Sequence, residues 1–201
     1  MIAVIRYGVG NVKSVLCALR HLGREAILSS DPDEVESASG VILPGVGAFA
    51  TAMQNLERDG LDSALCRINS ADRPILGICL GLQLFFSESE EHGSYRGLGL
   101  LSGRVRRFPP GAKAPHMGWN QVRRQKPSAL FDGIPDDSFF YFAHSYYAQP
   151  DDTESIIGVT DYEGSFASAV ARETLFGVQF HPEKSGPWGL RMLANFCHLC
   201  E

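Results

Sequence analysis

The chain has 201 residues, 44% of them hydrophobic and 20% charged, and its 18 basic and 23 acidic side chains leave a net charge of −5. That length suits one domain of ordinary size. The balance excludes disorder and, without a long basic run, a dedicated nucleic-acid surface. No apolar stretch approaches a membrane span, and Met1-Ile2-Ala3-Val4-Ile5 is too short and uncharged to open a signal peptide. Five scattered cysteines read as reduced thiols of a cytoplasmic chain.

In chain order, the first half alternates strand and helix. Ile2 to Tyr7 is a short apolar run ended by Gly8-Val9-Gly10-Asn11. Val12, Val15, Leu16, Leu19 and Leu22 recur at helical spacing, with Asn11 as N-cap and Gly23 as stop. A strand over Glu25 to Leu28 and a helix near Asp33 to Ala38 follow. Val41-Ile42-Leu43 is a buried strand broken by Pro44-Gly45-Val46-Gly47, and a helical pattern runs from Phe49 to Asn69 with a break at Gly60. Ile75 to Ile78 reads as another buried strand, and Leu80 to Ser87 as a helix. Strands apolar on both faces and separated by helices predict a parallel sheet covered on both sides.

The second half changes character. Short runs at Arg104 to Phe108, Phe139 to Phe142, Ser155 to Thr160, Ala167 to Ala171 and Phe176 to Phe180 are separated by turn signals such as Asp132-Gly133 and Glu163-Gly164. They predict antiparallel strands joined to the same sheet or flanking it. Leu190 to Leu199 closes the chain as a helix. The expected fold is one α/β domain over 1–201, a mainly parallel sheet flanked by helices with antiparallel additions in the C-terminal half.

Gly77-Ile78-Cys79-Leu80-Gly81-Leu82-Gln83 carries the strongest chemical signal. A buried strand runs directly into a helix, with one nucleophile at the junction and a glycine two residues to either side. Such a turn holds its central residue in an exposed elbow, and a helix N-terminus favours thiolate over thiol. A lone cysteine ending a strand is equally a core residue, so the glycines are what set this one apart. A nucleophile needs a base, and the base an orienting group. His181-Pro182-Glu183 supplies both: Pro182 keeps His181 extended, and in extended chain residues two apart project to one side. Pro44-Gly45-Val46-Gly47 follows a buried strand, so it is expected at the same carboxyl edge as Cys79, where its amides and that of Leu80 can serve an oxyanion.

Together, Gly77 to Gln83, Pro44 to Phe49 and His181-Pro182-Glu183 resemble the class I, triad-type glutamine amidotransferases. Tyr7-Gly8-Val9-Gly10-Asn11, Pro115-His116-Met117-Gly118-Trp119-Asn120 and the extension through Lys184-Ser185 resemble one histidine-biosynthetic branch of that family. Arg6 departs from the pattern, which commonly has an acidic residue before Tyr-Gly. The resemblance implies glutamine hydrolysis by a Cys79, His181 and Glu183 triad, without cofactor or metal. It assigns substrate and oxyanion contacts to Gly45, Val46, Gly47, Leu80, Gln83, Ser145 and Tyr146, the Val46 peptide reorienting before it donates. It also implies ammonia transfer to a separate (β/α)8-barrel cyclase subunit, because this length leaves no room for a synthase. Asn11, Met117, Trp119 and Lys184 would line the docking face. Two readings remain open beside it: a glutaminase serving another synthase, of pyridoxal-phosphate or anthranilate type, and a non-catalytic binding protein on the same fold.

Three weaker signals are set aside. Gly8-Val9-Gly10 lacks the third glycine of a dinucleotide loop, where Lys13 stands. Cys197-His198-Leu199-Cys200 has redox or zinc spacing without a second ligand pair. Arg104, Arg106 and Arg107 read as a solvated strand face.

Overall fold

A strand that is apolar on both faces must be covered on both, and the N-terminal half supplies that cover. A computed structural model describes residues 1–201. Strands β1 (Ile2–Ile5), β2 (Ala26–Ser29), β3 (Gly40–Gly45) and β4 (Ile75–Cys79) alternate with helices α1 (Val12–His21), α2 (Pro32–Ser37), α3 (Phe49–Arg58) and α4 (Leu61–Ser70). The side-chain alternation divides β1 between two cores. Ile2 and Val4 join Val15 and Leu19 of α1 on one face, while Ala3 and Ile5 join Val35, Leu56 and Leu65 of α2 to α4 on the other. Gly60 takes φ +70° between α3 and α4, the break expected within the long helical pattern.

After the short helix α5 (Leu80–Leu84) the chain forms strands β5 (Phe86–Ser89), β6 (Tyr95–Arg96), β7 (Leu101–Arg107), β8 (His116–Arg124), β9 (Ser138–His144) and β10 (Tyr146–Pro150). Strands β11 (Ile156–Asp161), β12 (Ser165–Arg172) and β13 (Leu175–Val178) then lead to the closing helix α6 (Gly186–Leu199). The main sheet has nine strands in the order β2-β1-β3-β4-β13-β12-β11-β8-β9, and β10-β7-β5-β6 form a second sheet of four. The later strands thus both extend the first sheet and flank it. Two details differ from the sequence reading. The helix expected to reach Ser87 stops at Leu84, because the chain turns at once into β5 of the second sheet. Strand β13, expected as antiparallel, lies parallel to β4 and antiparallel only to β12.

That parallel placement matters for the site. Gly45 pairs across from Cys79 and Val178 across from Ile78, so β3, β4 and β13 end side by side. The turns after all three open at one carboxyl edge, where ligands bind in such sheets. No helix is long and apolar enough to cross a membrane.

Candidate active site

The elbow is built by close approach. A Cβ on Gly77 would lie 2.7 Å from the backbone carbon of Gly81, and one on Gly81 would run into the Leu43 carbonyl. With both positions bare, β4 passes straight into α5 and Cys79 is held at φ +56°, ψ −107°. A non-glycine residue held at such a φ costs on the order of 1–3 kcal/mol, and the surrounding packing sustains it. Cys79 is only 5% exposed, yet it lines a cleft.

His181 follows β13 with its backbone N–H donating to the Tyr141 carbonyl of β9 (2.8 Å). Ser185 locks this junction: its hydroxyl donates to the His181 carbonyl (2.6 Å) and accepts from the Tyr141 N–H (2.9 Å). Pro182 begins a single 3-10 turn that brings Glu183 back, its Oε1 3.0 Å from His181 Nδ1. With Nδ1 occupied by the carboxylate, Nε2 is left for the sulfur. Both the His181 and Glu183 side chains are buried, and Glu183 Oε2 has no partner. Burial alone would pull the imidazole down. Its hydrogen bonds to Cys79 and Glu183, and the negative charge of both, outweigh that and raise it to about 9. His181 therefore holds a proton through neutral pH, beside a sulfur and a carboxylate that stabilise it.

The cleft above Cys79 is lined by Val46, Gly47, Leu80, Gln83, Ser145 and Tyr146. Gly45 is the one expected substrate residue outside the lining, and its role is steric. A Cβ there would come within 2.7 Å of Leu80 Cβ and of the Tyr7 hydroxyl. Tyr7 is buried and donates to the Pro44 carbonyl (2.8 Å), so it fixes the start of this turn. Burial, then the neighbouring Cys79 charge, push its hydroxyl far up, so it remains a donor. Gly47 by contrast takes φ +104° with open space around it. Val46 thus lies between a glycine held by its neighbours and one with open space around it.

Sequence reasoning passed over His144 and His116. His144 Nδ1 donates to the Tyr146 carbonyl (2.8 Å), and its Nε2 meets His116 Nδ1 at 3.0 Å. Burial lowers His144 to about 3 and His116 to about 4, so the pair is neutral and each ring has one donor and one acceptor to offer. Their signal was available in Pro115-His116 and Ala143-His144, but no titratable neighbour in sequence marks them. Gln179 was also missed, inside a run read only as a strand. It is fully buried with Nε2 3.6 Å from Cys79 Sγ.

Two of the four expected docking residues gather at Tyr141. Trp119 pairs with it across the β8–β9 ladder, ring centroids 6.2 Å apart, and Lys184 Nζ lies 5.7 Å from its ring. Met117, 65% exposed, reaches the cleft, and Trp119 is 55% exposed. Asn11 sits at the start of α1, where its side chain accepts from the Ser14 hydroxyl (3.0 Å) and caps no backbone amide. Arg6 donates to the Ser30 hydroxyl after β2 (3.4 Å).

The sequence model of the family described as glutamine amidotransferase class-I matches residues 3–200. The chain is 55% identical over 198 residues to the imidazole glycerol phosphate synthase subunit HisH of Moorella thermoacetica, spanning 98% of this chain and 94% of that one. It is 51% identical over 202 residues to the subunit of the same name from Archaeoglobus fulgidus, spanning 99% and 98%. Among solved structures it resembles PurLQS from Thermotoga maritima, with a TM-score of 0.80 at 18% identity over 100% of this chain and 98% of that one, a likeness of fold alone.

Proposed function

The chain belongs to the class-I glutamine amidotransferases, and on that premise we propose that it is the glutaminase subunit of an imidazole glycerol phosphate synthase in histidine biosynthesis. One amidotransferase domain over 1–201 hydrolyses glutamine in the cytoplasm and hands the ammonia to a (β/α)8-barrel cyclase subunit. The observation that carries the reading is the buried line Glu183–His181–Cys79, which meets a cleft at Cys79 in a chain about half identical to named subunits of that synthase.

Cys79 Sγ attacks the side-chain amide carbon of glutamine. The developing oxyanion is received by the Leu80 amide and by the Val46 amide once that peptide turns toward it. The Val46 N–H sits on the Gly45–Val46 peptide, so it turns through Gly45 ψ and Val46 φ while the Tyr7 bond to the Pro44 carbonyl holds the preceding peptide still. His181, already carrying its proton, gives it to the leaving nitrogen, so ammonia departs and a thioester remains. Water, deprotonated by His181 Nε2, then attacks the thioester carbon. Glutamate leaves, and the proton returns the Cys79–His181 pair to its starting state. Glu183 holds the imidazole in the required tautomer throughout. Gln83 Oε1 is free to accept from the substrate, since its Nε2 is taken up within the protein. Met117, Trp119, Lys184 and Asn11 border the face that meets the cyclase, where an exposed tryptophan is a suitable anchor.

Mixing the chain with a barrel cyclase, the cyclase's nucleotide ligand and glutamine tests the reading. Imidazole glycerol phosphate formation that requires both chains is expected. Ammonia delivery to a pyridoxal-phosphate or anthranilate-type synthase instead, with none to the cyclase, would overturn the assignment of partner.

A further inference from the structure

Gln179 is set beside the nucleophile by the register of the sheet. β13 ends with Val178 opposite Ile78, so the next residue on each strand, Gln179 and Cys79, are neighbours at the carboxyl edge. A glutamine is seldom wholly buried, and this one is 0% exposed with both ends of its amide engaged. The engagement fixes its orientation. Gln83 Nε2 lies 2.8 Å from the Tyr146 carbonyl, which can only accept, so that end of Gln83 must be its NH2 group. The same nitrogen lies 3.1 Å from Gln179 Oε1. Turning the Gln179 amide over would set two NH2 groups against each other, so its own NH2 necessarily faces Cys79 Sγ at 3.6 Å.

We propose that Gln179 is a positioning residue for glutamine hydrolysis: its side-chain amide donates to Cys79 Sγ, favouring the thiolate and holding it toward the cleft, as the last link of a relay from the Tyr146 carbonyl through Gln83. A hydrogen bond to the charged form of an acid stabilises that form. Sulfur accepts weakly, but a buried NH2 group has no water to turn to and loses by leaving the bond unmade. The relay also joins the sulfur to the substrate ledge, since Tyr146 and Gln83 line the same cleft as Cys79.

The inference rests on the reading of Cys79 as the nucleophile, and its test separates the two. The pH dependence of Cys79 alkylation by iodoacetamide, followed by peptide mass, reads thiolate formation without glutamine. In the full-length Gln179→Met variant, which keeps the bulk and removes the donor, the midpoint is expected to rise by about one pH unit, about tenfold less thiolate at a fixed lower pH. Gln179→Glu, which keeps the shape and turns an acceptor to the sulfur, should raise it further. Both should lower kcat about tenfold with KM for glutamine changed less than about twofold. Should either variant fail to fold, the Gln179 side-chain NH2 resonances of the unaltered protein are expected to move with pH as Cys79 titrates. Midpoints unmoved in the folded variants, or NH2 resonances indifferent to that titration, would overturn the role of Gln179. Glutamine hydrolysis that survives Cys79→Ala would instead overturn the nucleophile itself.

Discussion

His181 is stabilised as an imidazolium by two acidic neighbours, and its proton is linked to folding. Its folded-state value of about 9 lies above the ordinary 6.5. The stability this proton adds is therefore complete below about pH 6.5 and lost as pH rises through 9. His116 and His144 have the opposite sign. Held near 4 and 3, they bind protons more weakly folded than unfolded, so stability falls as pH drops from 6.5 through those values. Removing the sulfur removes a hydrogen bond and a charge that hold the His181 proton. In Cys79→Ala, imidazole proton NMR is expected to show the His181 midpoint well below about 9, with His116 and His144 still uncharged at neutral pH. A His181 midpoint unchanged by the substitution would mean that its proton does not belong to the Cys79 pair. The residues to which the proposal gives this chemistry were readable because Cys79, His181 and Glu183 each sit in a short motif with its own mechanical reason. His144 and Gln179 were not, since a histidine or glutamine on a strand acquires its role only from the partner that another strand brings.

The elements nearest the site are those in which local sequence and close packing agree. Gly81 lies where α5 passes over the Leu43 carbonyl with no space for a methyl group. Gly81→Ala is expected to destabilise the fold by about 3 kcal/mol, the upper range of overpacking, read as a lowered midpoint in urea. Normal stability would show that α5 can back away from β3 at no cost. The parallel strands were legible because Val41 to Leu43 and Ile75 to Ile78 are unbroken apolar runs between helices. The end of α5 was not. Leu82, Leu84, Phe85 and Phe86 are all buried, and an all-apolar run fits a buried helix as well as a buried strand. Strand β8 was hidden for the opposite reason. Its buried side includes His116 while Met117 and Trp119 face outward, so the usual apolar-in, polar-out alternation is inverted. That inversion is what the proposed docking face draws on, since large exposed apolar side chains in one region suit an interaction surface.

Across the whole molecule, the proposed mechanism depends on distant stretches converging at one edge. The turn after β3 offers amides, the elbow after β4 the sulfur, and the turn after β13 the imidazole and carboxylate, while β9 fixes that last turn through Tyr141 and Ser185. No local pattern specifies this convergence. It follows from adding β13 parallel to β4, a pairing between residues a hundred positions apart that the alternating run of Phe176 to Phe180 does not announce. The most direct measurement is intact mass after rapid acid quenching of the chain, with the proposed cyclase partner and glutamine, during turnover. A covalent adduct with the mass of glutamine less ammonia is expected on the Cys79 peptide, absent in Cys79→Ala together with all but about a thousandth of glutamate release. An adduct on another residue, or Cys79→Ala releasing glutamate at the parent rate, would contradict the account.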